Sequence, residues 1–344
     1  MEIGNLIIQE NVSLAKYHTF GIEVNSKFFL ELNNIVAIDE FAQYYAEIPK
    51  PIYILGGGAN SLFSKDFEGT IVHVFNKGIE LIEENEESIF LRVQAGEDWD
   101  ELVQFCVENE YYGIENLSAI PGQVGTAPIQ NIGAYGVEAK DCIFEVFYID
   151  INDGEQYVLN NSECEFAYRD SIFKHELKDQ FIITEVIFKL FKNAELHLEY
   201  GAIKEELKRE RIIQANISQV SDVIRKIRGA KLPDPKEIGN AGSFFKNPII
   251  ELNVFNKLKE QFPNIVAYKD AHGKMKIAAG WMIDHLGWKG KEHQGAAVHT
   301  QQALVLINKN NASGKAVTEL AQMIQADVLK HFGIELETEV HIYF

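Results

Sequence analysis

Ser243 closes the run Gly239-Asn240-Ala241-Gly242-Ser243, a glycine-rich turn that ends in a hydroxyl. Positions 225–248 hold six basic residues (Arg225, Lys226, Arg228, Lys231, Lys236, Lys246) against two acidic ones (Asp234, Glu237). In a chain of net charge -19 that surplus marks an anion site, although any single lysine of the run is better read as solvated surface. A second glycine-rich turn, Gly56-Gly57-Gly58-Ala59-Asn60-Ser61, follows the apolar run IYIL at 52–55. Such a turn offers open N–H groups to phosphate. It lacks the Gly-Lys-Ser/Thr ending of a P-loop, and the stretch before Ile71 is too short and aperiodic for a Rossmann helix. The spacing predicts strand, loop, strand; a plain connection between strands is the alternative. Arg169 lies among aromatics in CEFAYRDSIF at 164–173.

Residues 116–137, NLSAIPGQVGTAPIQNIGAYGV, run without one charged side chain. Pro121 and Pro128 exclude a membrane-spanning helix, and the Ala, Ile and Val content argues against a disordered linker. Gly122, Gly125, Gly133 and Gly136 suit irregular backbone packed close to a bulky polar ligand, since glycine permits close approach. A tight connection between core strands is the other reading.

Around these pieces, periodicity predicts a helix at 36–46 and strands at 71–75, 88–95 and 181–190. Trp99, Leu102, Val103 and Cys106 keep helical spacing, and 143–149 with 156–159 form a hairpin around Asn152-Asp153-Gly154. Ser218 reads as the cap of a helix whose Val220, Val223, Ile224 and Ile227 share a face. Leu232-Pro233-Asp234-Pro235 is a stiff linker. Beyond it come a helix at 278–287, a strand at 303–307, a long helix closed by Gly333, and a terminal strand that alternates cleanly over 334–344. The order predicts an α+β fold, not a doubly wound sheet.

Composition sets outer bounds. Apolar residues make up 46% and charged residues 24%, ordinary for a globular protein of two or three domains. The acidic balance argues against nucleic acid and against a basic membrane-surface helix. Three scattered cysteines form neither a disulfide framework nor a zinc site, and the histidines show no metal-ligand spacing, so no metal is expected and a reducing cytoplasm fits. The first twenty residues do not read as a signal peptide.

Nine segments, in order, resemble the UDP-N-acetylenolpyruvoylglucosamine reductase family: YHTFG (17–21), ILGGGANSLF (54–63), LSAIPGQVGTAPIQNIGAYG (117–136), YRDSIFK (168–174), KLPDPK (231–236), GNAGSFFKNP (239–248), AAGWMIDHLGWKG (278–290), GAAVHTQQALVLIN (295–308) and ELETEV (335–340). The segments at 117–136 and 239–248 are the most specific. Tyr200-Gly201 resembles the tyrosine loop of the family's longer form. The resemblance implies an FAD-binding module of the vanillyl-oxidase (PCMH) type made of two subdomains, at 1–80 and 81–230. It also implies a smaller α+β substrate-binding domain at 231–333, the strand at 334–344 returning to the FAD-binding part.

FAD would be held by Gly56, Gly57, Gly58, Asn60, Ser61 and Leu62 on one side and by Gly122, Gly125, Thr126, Asn131 and Gly133 on the other. The implied reaction uses NADPH to reduce the enolpyruvyl group of a UDP-sugar, in a cytoplasmic monomer. By motif, Ser243 would protonate the substrate, and Arg169 and Glu339 would stabilise its enolate form. Tyr135, Tyr200, Arg228, Lys231, Asn247 and Gln302 would contact substrate. Ala59 departs from the serine more common in the family's first turn, which puts FAD affinity in question. A different FAD oxidoreductase of the same fold and a non-catalytic nucleotide-sugar binder are the rival readings.

Overall fold

The computed structural model describes residues 1–270 and 272–344 and is mixed α and β. It divides into two compact units. The first comprises Met1–Val12, Ser26–Gly57 and Glu68–Ala230; the second comprises Ser13–Asn25, Gly58–Phe67 and Lys231–Phe344.

The first unit is built mainly on two sheets. A five-stranded antiparallel sheet runs in the order Gln156–Asn160, Ile143–Asp150, Phe181–Phe191, Ser88–Gln94, Ile79–Glu84. Ile89, Leu91 and Val93 alternate with more exposed neighbours, so one face enters the core. A four-stranded sheet contains Ile52–Leu55 paired in parallel with Phe67–Val74. Helix α1 (Ile35–Gln43) buries Ile38, Phe41 and Ala42 in the same core. Helix α2 (Trp99–Glu108) starts at Asp98, whose carboxylate accepts from the N–H groups of Asp100 and Glu101. It buries Trp99, Leu102, Val103 and Cys106 at the expected spacing. Helices α3 (Gly201–Arg209) and α4 (Ile217–Lys231) make a satellite cluster of Ile203, Leu207, Val220, Val223, Ile224 and Ile227.

The cap expected at Ser218 is corrected. The helix begins at Ile217, two residues before the start that a Ser218 cap implies, and Asn216 Oδ1 accepts from Gln219 N–H while Gln219 Oε1 accepts from Asn216 N–H. This reciprocal pair satisfies two end groups at once, which Ser218, exposed inside the helix, does not.

The second unit is built on a four-stranded antiparallel sheet, Gly239–Ser243, Val305–Asn308, Ala296–Val298, Glu292–His293, packed against the long helix described below. A three-stranded sheet (Ile249–Ile250, Met275–Ile277, Ala267–Lys269) and helices α5 (Leu252–Gln261) and α6 (Ala279–His285) complete it. Helix α7 (Gly314–Phe332) is capped by Ser313 and ended by Gly333 at φ 65°. The terminal strand is shorter than its alternation predicts: only His341–Tyr343 is paired, in parallel with Ser61–Phe63. Residues 334–337 alternate in burial all the same, because Ile334 and Leu336 bury while Glu335 and Glu337 stay out. Thr338 makes one isolated bridge with Phe245.

Candidate active site

The uncharged stretch is irregular but tightly stitched. Trp99 Nε1 donates to Leu117 O, Trp99 N–H to Gly122 O, Val124 N–H to Glu97 O and Gly125 N–H to Ala95 O, all within 3.0 Å. Bonds of this kind are worth about 1 kcal/mol net each, so the strand end at 94–97 and the start of α2 fix the loop's course. The glycines have a protein reason. A Cβ on Gly57 would lie 3.1 Å from Gly122 Cα, and one on Gly56 would lie 2.5 Å from the Thr126 methyl. On Gly125 it would meet Ala95 Cβ at 2.6 Å, and on Gly133 Glu138 Cγ at 2.9 Å. The close approach that glycine permits is therefore between the two loops and their own scaffold on these faces.

Asn131 is fully buried and spent internally. Its amide donates to Glu138 Oε2 and Ala167 O and accepts from Lys140 N–H. Thr126 Oγ1 likewise donates to Gln123 O. A ligand at these two positions is left with backbone, not side-chain, groups of Asn131. Beyond them Gly133–Ala134 and Val137–Glu138 form a two-stranded hairpin with Tyr135 at its tip, at φ 52°. Arg169 also stands in the left-handed region, at φ 56°, in a turn closed by mutual bonds between Ala167 and Asp170. Its guanidinium donates to Gly133 O at 2.9 Å. Non-glycine residues held at positive φ cluster where function needs a fixed side chain.

Tyr135 meets Tyr200 edge to face at 5.2 Å and lies within reach of the Arg228 charge. Burial pushes the Tyr135 phenol up from its ordinary value, with the Arg228 charge opposing; burial likewise draws the Arg228 guanidinium down. Asn116, wholly buried, donates from one amide to both Tyr135 O and His197 O, tying the hairpin tip to the chain that leads into Tyr200. Half of the basic run is paired with carboxylates of the protein. Arg225 pairs with Asp100, Lys226 with Glu206 and Glu210, and Lys246 with Glu337. The surplus read from the sequence therefore narrows, in the first unit, to Arg228. Asp100, Asn116, Ser118 and Ser221 were not legible as site residues; Asp100 looks like any first-turn acid of a helix.

In the second unit one patch gathers Ser243, Glu339 and the turn 58–62. Glu339 N–H donates to Phe244 O, Asn60 Nδ2 to Glu339 O at 2.9 Å, and His341 N–H to Asn60 O. Ser61 and Leu62 are buried in the strand beside His341–Tyr343. Gly58, at φ 60°, lies under Tyr17 and His18, where a Cβ would be 2.1 Å from Tyr17 O. Ser243 is half-buried, follows Gly242 at φ 66°, and its neighbours Phe244 and Phe245 are fully buried anchors. Asn247 Oδ1 accepts from Ala279 N–H, and Gln302 Oε1 lies 3.3 Å from where a Cβ on Gly280 would be, so both residues meet the first turn of α6. Lys231 is exposed at the end of α4. Among the described residues no cluster of histidine, cysteine or carboxylate side chains could hold a metal ion. All three cysteines are buried free thiols; burial pushes Cys142 and Cys164 up to about 12, which leaves them unreactive.

The uncharged backbone at 56–57, 120–122 and 132–134, none of it buried, fits a large planar cofactor that must be kept from charge. Comparison with known proteins gives the same picture. Residues 27–160 match the family model described as an FAD binding domain. Residues 234–343 match that of the UDP-N-acetylenolpyruvoylglucosamine reductase C-terminal domain. A curated relative of that name from Flavobacterium johnsoniae is 43% identical over 97% of this chain and 99% of its own length. Another, from Pseudomonas aeruginosa, is 42% identical over 98% of this chain and 100% of its own. A crystal structure of the Thermus caldophilus reductase has the same fold, with TM-score 0.69 over 98% of this chain and 100% of that one at 22% identity.

Proposed function

This chain belongs to the UDP-N-acetylenolpyruvoylglucosamine reductase family, and on that premise we propose how its own residues divide the work. It is an FAD-binding oxidoreductase of peptidoglycan precursor synthesis, and it reduces the enolpyruvyl ether of a UDP-sugar at the expense of NADPH. Bound FAD would supply the hydride-transfer chemistry that links NADPH to the terminal enolpyruvyl carbon.

Ser243 then gives its hydroxyl proton to C2, the carbon made basic by hydride addition, and regains a proton from solvent. A serine hydroxyl is a weak acid, so it serves only for so strong a base. Arg169 offers a rigid fork to the carboxylate and to the oxygen on which enolate charge develops. Its left-handed backbone and its bond to Gly133 O support that fixed aim. Glu339, held by backbone bonds to Phe244 and Asn60, stabilises the enolate form. Tyr135, Tyr200, Arg228, Lys231, Asn247 and Gln302 would contact the UDP-sugar, Tyr200 as the substrate loop of the longer family form. The cofactor would be held by the backbone of Gly56, Gly57, Gly122, Gly125, Thr126, Asn131 and Gly133, and by Gly58, Asn60, Ser61 and Leu62. We place the enzyme in the cytoplasm as a monomer, where three buried free thiols are at home. Among the described residues no helix is long and apolar enough to cross a membrane.

The patch in which Glu339 bonds to Phe244, the residue after Ser243, and to Asn60 carries this reading. Its test is Ser243→Ala in rapid mixing. Reduction by NADPH should keep its rate, while reoxidation by the enolpyruvyl sugar slows by about 10²-fold or more, the scale of lost acid catalysis. Equal slowing of both halves would give Ser243 another role.

A further inference from the structure

Ser221, Arg225 and Arg228 share one face of α4, three residues at i, i+4 and i+7. All three reach the corner Ser118-Ala119 of the uncharged loop or its support. Ser221 Oγ and Ser118 Oγ, both buried, lie 2.8 Å apart. Arg225 sends two N–H groups to Asp100, at 2.6 Å to Oδ2 and 2.8 Å to Oδ1. Asp100 Oδ1 also accepts from Ala119 N–H at 2.6 Å, and Arg228 Nε donates to Ala119 O at 3.1 Å. The Ala119 residue is thus gripped at its N–H by α2 and at its carbonyl by α4. Its φ of 59° is one that alanine adopts only when its surroundings impose it.

We propose that Asp100 and Arg225 are positioning residues for the Tyr135–Arg228 pair, with Arg225 occupying the Asp100 carboxylate so that the Arg228 charge stays available to an anionic substrate. This rests on the reading of Arg228 as a substrate contact. The charge count makes the case. The bidentate geometry gives the Asp100 carboxylate to Arg225, while Arg228 bonds to Ala119 O instead. Asp100 and Arg228 hold the two ends of the same residue, Ala119, by its N–H and its carbonyl, which sets the carboxylate near the Arg228 charge. With Arg225 gone, Asp100 would turn its charge on Arg228 and compete with a phosphate or carboxylate of the substrate. Asp100 and Arg225 touch no substrate in this arrangement; they set which charge the site presents.

The test is a charge cycle read in KM for the enolpyruvyl UDP-sugar, kcat, and the calorimetric affinity for UDP. Arg225→Gln should raise KM and weaken UDP about tenfold or more, with the rate of reduction by NADPH unchanged. Adding Asp100→Asn to Arg225→Gln should restore both to within about threefold of the parent, because the competing carboxylate is removed. A double variant as poor as Arg225→Gln, or worse, would mean a structural brace only and overturn the proposal; so would an unchanged KM in Arg225→Gln. Arg225→Lys keeps the charge and should stay within about threefold of the parent, and a tenfold loss there overturns the proposal even if Arg225→Gln does not fold. Arg228→Ala separates the two levels. If it leaves KM unchanged, the substrate-contact reading has failed; if it raises KM while the cycle shows no rescue, only the positioning proposal has.

Discussion

Gly58 and Gly242 are both in the left-handed region, at φ 60° and 66°, and both precede residues assigned to the site. Their surroundings differ. A Cβ on Gly58 would fall 2.1 Å from Tyr17 O and 2.6 Å from His18 Cα, rigid backbone that cannot step aside; on Gly242 it would meet nothing within 4 Å. Gly58→Ala should therefore cost about 3 kcal/mol or more, strain and overpacking together. Gly242→Ala should cost only the left-handed backbone term, about 1 kcal/mol. Chemical denaturation of the two variants decides it, and equal losses would sink the distinction. From the sequence both glycines are legible as turn residues. Which of them is pinned is not, because Tyr17 and His18 come from a segment some forty positions away.

Helix α4 tests how far local pattern carries. Its buried stripe of Val220, Val223, Ile224 and Ile227 follows from spacing alone, but its start does not. Serine and asparagine are both good caps, and only the reciprocal bonds between Asn216 and Gln219 choose between them. Asn216→Ala should cost about 1 kcal/mol, whereas Ser218→Ala should be neutral or slightly stabilising, since alanine is the better helix former. Thermal melts would read this, and a larger loss at Ser218 would restore the original cap. The same limit explains the terminal segment. Its alternation is a true record of burial at 334–337, yet pairing needs a partner, and the partner strand Ser61–Phe63 is remote in sequence. The motifs at 56–61, 116–137 and 239–243 were legible because glycine runs and the absence of charge are local facts. The bond from Asn60 to Glu339 spans 279 positions and leaves no local trace.

Across the whole molecule, acid stability depends on histidines that the reaction does not use. His18 is 4% exposed; its Nε2–H donates to Ile22 O, since a carbonyl only accepts, and its Nδ1 is buried without a partner. Burial holds His18 below its ordinary pKa against the opposing pull of Ile22 O and Glu23, and burial lowers His299 in the same direction. The native state therefore favours neutral imidazole, while the unfolded chain takes up a proton near pH 6.5. Between the lowered native value and that pH the unfolded state binds more protons. Stability contributed by neutral His18 is thus present above pH 6.5 and is lost as pH falls, with a slope approaching about 1.4 kcal/mol per pH unit for each such histidine. His18→Gln should be less stable than the parent at pH 7.5, with the gap narrowing as pH falls to 5.5. Taking the difference cancels carboxylates common to both proteins, such as Glu206 and Glu319, whose pairing holds them low and whose contribution is also lost in acid. Denaturation curves of the two proteins at matched pH measure the gap directly. A gap that stays constant or widens on acidification would show that His18 is not buried in its neutral form.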